Sequence, residues 1–207
     1  MTPEQIEPFF TRSDGAYLCA RWGRPIAPVV FGVDDATLSI VKGAMEAVVT
    51  VVGHQMAEQD PELGVNMMVF FFRDWAELTE LPDLDHRIPD LDPLVKRLEG
   101  EGANQYRLFR FDDAGAIQAV FVFLRMDQAM AAVPAEDLAL SQAVQSICLW
   151  ADGVWAAQSP LAKAGDTVIL RPDIAGLIRA VYDPVLPAVA NDSSHAMRLS
   201  AWMAVAG

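Results

Sequence analysis

The chain has 207 residues, of which 53% are hydrophobic and 21% charged, and this composition is typical of a folded globular protein rather than a disordered one. Its 28 acidic and 15 basic side chains give a net charge of −13, which argues against nucleic-acid and membrane partners because phosphate backbones and anionic lipid would be repelled. No basic segment followed by an apolar run opens the chain, so we expect a cytoplasmic protein, or an exported one if the N-terminus was trimmed.

The first third of the chain is predicted to contain an irregular segment, a strand and a long helix. Residues 1–26 are interrupted by prolines and glycines, and we expect an irregular N-terminal arm there, ahead of a single domain at residues 27–207. The apolar run at residues 28–33 predicts a short buried strand. Asp34 then offers an N-cap for a helix whose apolar stripe is expected to continue until Asp60.

The middle of the chain predicts the strands of a sheet. Residues 65–72 are apolar on both faces, as a central strand should be. Residues 105–111 and 116–124 flank a short Asp/Gly loop and therefore predict a β-hairpin. Between these segments, residues 81–93 contain prolines and four aspartates, and we expect a surface loop or a pair of turns there.

The helix expected to organise the fold begins at Pro134 and ends near Gly153. Proline suits a first helical turn, and an apolar stripe runs along the segment at helical spacing. Two further helices are predicted, one after Pro172 and one after Asn191. Because no change in composition marks a linker, the sequence predicts the α+β class, with one domain built on a mainly antiparallel sheet covered by helices.

Two pairs of side chains could carry chemistry. His54 and Glu58 lie four residues apart near the predicted end of the long helix and could act as a base and its orienting carboxylate. Asp83 and Asp85 could offer oxygen ligands to a hard cation, although their loop lacks the glycine and glutamate of an EF-hand. A solvated helix end and a solvated acidic loop explain the same residues, so no catalytic residue, metal or cofactor is assigned and both pairs remain alternatives.

The two cysteines, Cys19 and Cys148, are too few for a four-cysteine zinc site or a disulfide framework. Cys148 falls in the apolar stripe of the central helix, where burial keeps a thiol protonated and unreactive. A small core side chain explains Cys148, and the sequence leaves open whether the two cysteines ever pair.

Arginine and tryptophan mark a candidate binding surface. Arg73 and Trp75 follow the predicted strand at residues 65–72, and Trp150 and Trp155 lie near the end of the central helix. Arginine and tryptophan are enriched at binding hot spots. The competing interpretation is that these side chains pack at the boundary of the core.

Short pieces spread over most of the chain resemble an uncharacterised bacterial domain family with a zincin-like layout. They are Arg21-Trp22, Pro25, the strand at Val29, Asn66, Ser141-Gln142-Ala143 and Tyr182-Asp183-Pro184. The resemblance implies a degenerate metallopeptidase scaffold, often exported. It also implies that the zinc motif is lost, because the helix that should hold histidines around a glutamate offers Ala139, Leu140, Ser141, Gln142 and Gln145.

The leading hypothesis from the sequence is a non-catalytic, soluble binding or interaction protein, whose protein or small-molecule partner the residues do not identify. The alternative is a hydrolase that uses His54 and carboxylates, with or without a metal. An oligomer-forming structural protein is a third, weaker hypothesis.

Overall fold

The structure is a computed structural model that describes residues 1–165 and 167–206. The helices are α1 Pro3–Ile6, α2 Asp35–Val51, α3 Leu84–Arg87, α4 Leu91–Gly100, α5 Gln128–Ala131, α6 Ala135–Ile147, α7 Val154–Ala157, α8 Pro172–Val181 and α9 Ser194–Ala206. The strands are β1 Cys19–Ala20, β2 Pro28–Phe31, β3 Met67–Phe72, β4 Gln105–Phe111, β5 Ile117–Arg125, β6 Leu161–Ala164, β7 Thr167–Leu170 and β8 Val189–Ala190. Short 3-10 helices cover Glu7–Phe9 and Trp75–Glu80. Within the described residues, no helix is long and apolar enough to cross a membrane.

The α+β class and the single domain are confirmed, but the central sheet is mixed rather than mainly antiparallel. Its strand order is β2-β3-β5-β4. β2 pairs with β3 and β3 with β5 in parallel, and only the β4–β5 hairpin is antiparallel. The reason is the connection through α2: a strand, a helix and a second strand form a crossover that brings the two strands side by side in the same direction.

The sheet is covered on both faces, which gives the protein two hydrophobic clusters. Successive side chains of a strand point to opposite faces. On β3, Met67 and Val69 therefore enter the larger cluster, together with residues of α2, α6, α8 and α9. Met68 and Phe70 enter the smaller cluster on the other face, beneath α4.

Several side chains of residues 1–26 pack in the larger cluster. The side chains of Ile6, Phe10, Trp22 and Ile26 are fully buried in it. The indole Nε1 of Trp22 donates to the backbone oxygen of Ser146 at 2.9 Å. The segment is irregular between its short elements, as predicted, yet it packs as part of the core.

Both long helices end earlier than the sequence predicts. Asp34 caps α2 as expected, since its side chain accepts from the Thr37 backbone N–H at 2.8 Å, but α2 ends at Val51. Gly53 follows with φ +65°, a left-handed conformation that suits glycine and stops a helix. The central helix α6 ends at Ile147, because the extended residue Cys148 forms an antiparallel bridge with Arg21.

Candidate functional site

Two neighbouring pockets form a cleft between the edge strand β4 and the helix α6. The pockets have volumes of about 400 Å³ and 360 Å³ and share the side chain of Gln105. The larger one, which we name the apolar pocket, is lined by six apolar residues, among them Met130, Leu138 and Leu161, and by six polar ones. The smaller pocket is named the arginine pocket, because both Arg107 and Arg12 line it.

Polar side chains on α6 face this cleft although they are almost fully buried. Gln142 is 4% exposed and Gln145 is 8% exposed. Gln145 Nε2 donates to the Ser141 hydroxyl at 2.9 Å, and Gln142 Nε2 donates to Gln105 Oε1 at 3.3 Å. Burial of an amide is costly unless it is hydrogen-bonded, so these bonds help to offset the burial of both side chains.

Arg107 on β4 contacts the amide groups of Gln105 and Gln142. Its Nη2 donates to Gln105 Oε1 at 3.0 Å and also to Gln142 Oε1. Its Nε is buried and has no hydrogen-bond partner in the described chain. Burial lowers the pKa of Arg107 to about 9, which still leaves the guanidinium charged at neutral pH. None of the ion pairs among the described residues involves Arg107.

Two of the predicted binding residues form the wall of the arginine pocket. The rings of Trp150 and Trp155 meet edge to face with centroids 4.9 Å apart. Trp150 is only 6% exposed, and its Nε1 donates to the Val144 backbone oxygen at 2.9 Å. At the mouth, Arg12 forms an ion pair of 2.9 Å with Asp152. These tryptophans therefore line a cleft instead of a flat surface.

The other two predicted binding residues lie elsewhere. Trp75 is fully buried in the smaller cluster, and its Nε1 donates to the Ala103 backbone oxygen at 2.8 Å. The prediction that Trp75 lies on a partner surface is wrong. The 3-10 helix Trp75–Glu80, which follows β3, packs this ring into the cluster beneath α4. Arg73 is exposed and lines a separate pocket with Gly32 and Glu77.

His54 and Glu58 are not placed as a catalytic pair. Because α2 ends at Val51, neither residue is on a helix, and Glu58 is exposed. His54 Nε2 donates to the Arg24 backbone oxygen at 2.9 Å, and its ring packs 5.2 Å from the ring of Tyr182. Burial lowers the pKa of His54, which keeps the ring neutral. In the described structure no hydrogen bond or ion pair joins His54 to Glu58, so the geometry does not support the hydrolase alternative.

The metal alternative also lacks a built site. Asp83 has a left-handed backbone ahead of α3, and exposed Asp85 pairs with the neighbouring His86 at 2.8 Å. No group of three or more histidine, cysteine, aspartate or glutamate side chains comes together within the described residues. Cys19 and Cys148 are both free and buried, and burial raises the pKa of Cys19 to about 12, so neither thiol is suited to bind a metal.

Sequence reasoning missed Arg107 and Gln105, the two β4 side chains of the site. Their signal was present but weak, because both positions fall in the alternating pattern of a hairpin strand, where polar residues are expected on one face. Gln142 and Gln145 were a stronger signal, since two glutamines interrupt a helix that is otherwise buried. Searches of family models, curated proteins and solved structures find no match to this chain.

Proposed function

We propose that this protein is a non-catalytic binding protein that holds a small organic ligand in the cleft between β4 and α6. The observation that carries the proposal is the convergence of three amide side chains and one guanidinium in this cleft: Gln105, Gln142, Gln145 and Arg107. Ligand sites are typically concave, mainly apolar and supplied with a few convergent polar groups, and their volumes are about 300–1,000 Å³.

The chemistry of the cleft favours binding over catalysis. Amides donate and accept hydrogen bonds but do not exchange protons near neutral pH, and an arginine stays protonated there. Acidic and basic groups that line the cleft besides Arg107 are Asp137 and Lys163 in the apolar pocket, and Arg12 with Asp152 in the other. Asp152 already forms an ion pair with Arg12, so this carboxylate is poorly suited to act as a general base.

The enclosed position of the tryptophans favours a small molecule over a protein partner. Trp150 is buried and Trp155 is half-buried, and both rings line the arginine pocket. The Trp155 Nε1 is buried and has no hydrogen-bond partner among the described residues. The indole ring itself lines the arginine pocket, so the Trp155 N–H resonance reports on a molecule bound there.

We expect small organic compounds to shift the indole N–H resonance of Trp155 in a fragment screen by two-dimensional NMR. Filling the cleft with Ala156→Trp should abolish those shifts, because Ala156 lines the arginine pocket. The matched control is Leu94→Trp, which adds the same bulk to a pocket on the opposite face of β4. The proposal fails if no compound moves the Trp155 signal, or if the hits bind Ala156→Trp as well as the wild type.

A further inference from the structure

Arg107 is a half-buried cation that has no counterion among the described residues of a strongly acidic protein. The chain carries 28 carboxylates, yet none of the described ones forms an ion pair with Arg107. An unpaired charge out of water is costly, and its cost is offset when an opposite charge arrives with suitable hydrogen bonds. A negatively charged ligand could therefore supply the missing counterion.

Two hydrogen bonds hold the Arg107 guanidinium in place and leave some of its N–H donors unused. Both recorded hydrogen bonds of Arg107 leave from Nη2 and reach Gln105 and Gln142, so the amides fix the plane of the group. Nη1 makes no hydrogen bond within the described chain and is not buried, whereas Nε has no partner there but is itself buried. Free guanidinium N–H groups in a fixed plane match a carboxylate or phosphate, which they bind with two parallel hydrogen bonds.

An apolar chamber begins next to the same amides. Gln105 and Gln142 both contact Arg107 and also line the apolar pocket. The remaining wall of that pocket is largely aliphatic, with Met130, Leu138 and Leu161 among its side chains. A molecule with its charged end at Arg107 can therefore extend an apolar body away from the charge without leaving the cleft.

We propose that the ligand of this cleft is an amphiphilic organic anion, whose carboxylate or phosphate head pairs with Arg107 and whose apolar body occupies the apolar pocket. The inference rests on the proposed function and names its ligand class. Of the two carboxylates that line the cleft, Asp152 is neutralised by Arg12 at 2.9 Å, and Asp137 shares the apolar pocket with Lys163. Neither pocket therefore has a net negative charge that would repel the anionic head group.

The probes for this proposal are octanoate, octyl phosphate, the uncharged octan-1-ol and inorganic phosphate, each titrated by calorimetry. We expect one of the two amphiphilic anions to bind at least about 10-fold tighter than octan-1-ol and than inorganic phosphate, because a charge-assisted pair adds to the apolar contact. The tighter of the two anions assigns the head group as carboxylate or phosphate.

Arg107→Gln should weaken binding of that anion about 10- to 100-fold and leave octan-1-ol unchanged. Arg110→Gln is the matched control: it removes a cation from the same strand, and Arg110 lines the pocket on the opposite face. Equal binding of octanol and the anions by the wild type would overturn the anion proposal and leave the ligand cleft standing. An equal loss in Arg110→Gln, or no binding of either anion while fragments still shift Trp155, would also overturn it.

Discussion

Asn66→Leu is expected to lower the free energy of unfolding by about 3–5 kcal/mol, because it removes three hydrogen bonds of a buried side chain at once. Asn66 is fully buried before β3. Its Oδ1 accepts from the Ala27 N–H at 2.7 Å, and its Nδ2 donates to the Pro25 oxygen at 2.9 Å and to the Asp60 carboxylate at 3.0 Å. Leucine has a similar volume but leaves all three groups without this partner.

The charged partner makes this substitution severe. Asp60 is only 4% exposed. Burial by itself would raise the pKa of Asp60, but hydrogen bonds from the backbone N–H groups of Leu63 and Glu62, and from Asn66, lower it overall. The carboxylate therefore stays ionised in the core and depends on its donors.

Urea unfolding monitored by circular dichroism measures the effect, with Asn191→Leu at an exposed asparagine as the control. A double-mutant cycle with Asp60→Ala should show a loss smaller than the sum of the single losses, because the two side chains share one hydrogen bond. Additive losses, or a loss below about 1 kcal/mol for Asn66→Leu, would contradict this role of Asn66.

Gly32→Ala is expected to cost about 3 kcal/mol or more, since two separate penalties add. Gly32 follows β2 with φ +81°, where a side chain is strained. A Cβ built at this position would lie 2.0 Å from the backbone oxygen of Phe71 on β3. The clash is with backbone, so the ends of β2 and β3 must separate, which disturbs the stacked rings of Phe31 and Phe70 at 4.9 Å.

Gly43→Ala is the matched control for this substitution. Gly43 lies within α2, and a Cβ there meets no heavy atom within 4 Å. Alanine should stabilise the helix by about 0.5–1 kcal/mol, so the two glycines are expected to respond with opposite sign in the same urea assay. A neutral Gly32→Ala would show that the junction of β2 and β3 is looser than described.

Much of the fold was accessible from the sequence because its strands are long apolar runs. The strands predicted at residues 28–33 and 65–72 and the hairpin after residue 105 are confirmed to within a few residues. The succession of strand, helix and strand at the start of the sheet also favours a parallel pair, which is how β2 and β3 are arranged. The early end of α2 depends on Gly53, whose left-handed conformation only the folded chain reveals.

The cleft was harder to predict because its parts are distant in sequence. Arg107 and Gln142 are 35 positions apart, and only the packing of α6 against the sheet brings them together. Tryptophan frequency at binding sites misled the prediction for Trp75, since a large aromatic ring is equally suited to a core. The resemblance to a zincin-like family stays a prediction. Of the five helix positions it singled out, Ser141, Gln142 and Gln145 line the cleft, whereas Ala139 and Leu140 line neither pocket.

The central claim is that Arg107 serves a ligand rather than the fold, and the stability of Arg107→Met without ligand tests it most directly. The protein is first refolded from denaturant to release any bound molecule, and Arg110→Met serves as the control from the same strand. Removal of an unpaired, half-buried charge should offset the loss of its hydrogen bonds to Gln105 and Gln142, so the free energy of unfolding should stay within about 1 kcal/mol of the wild type, or rise. A loss of more than about 2 kcal/mol would show instead that Arg107 holds β4 to α6, and would contradict the claim.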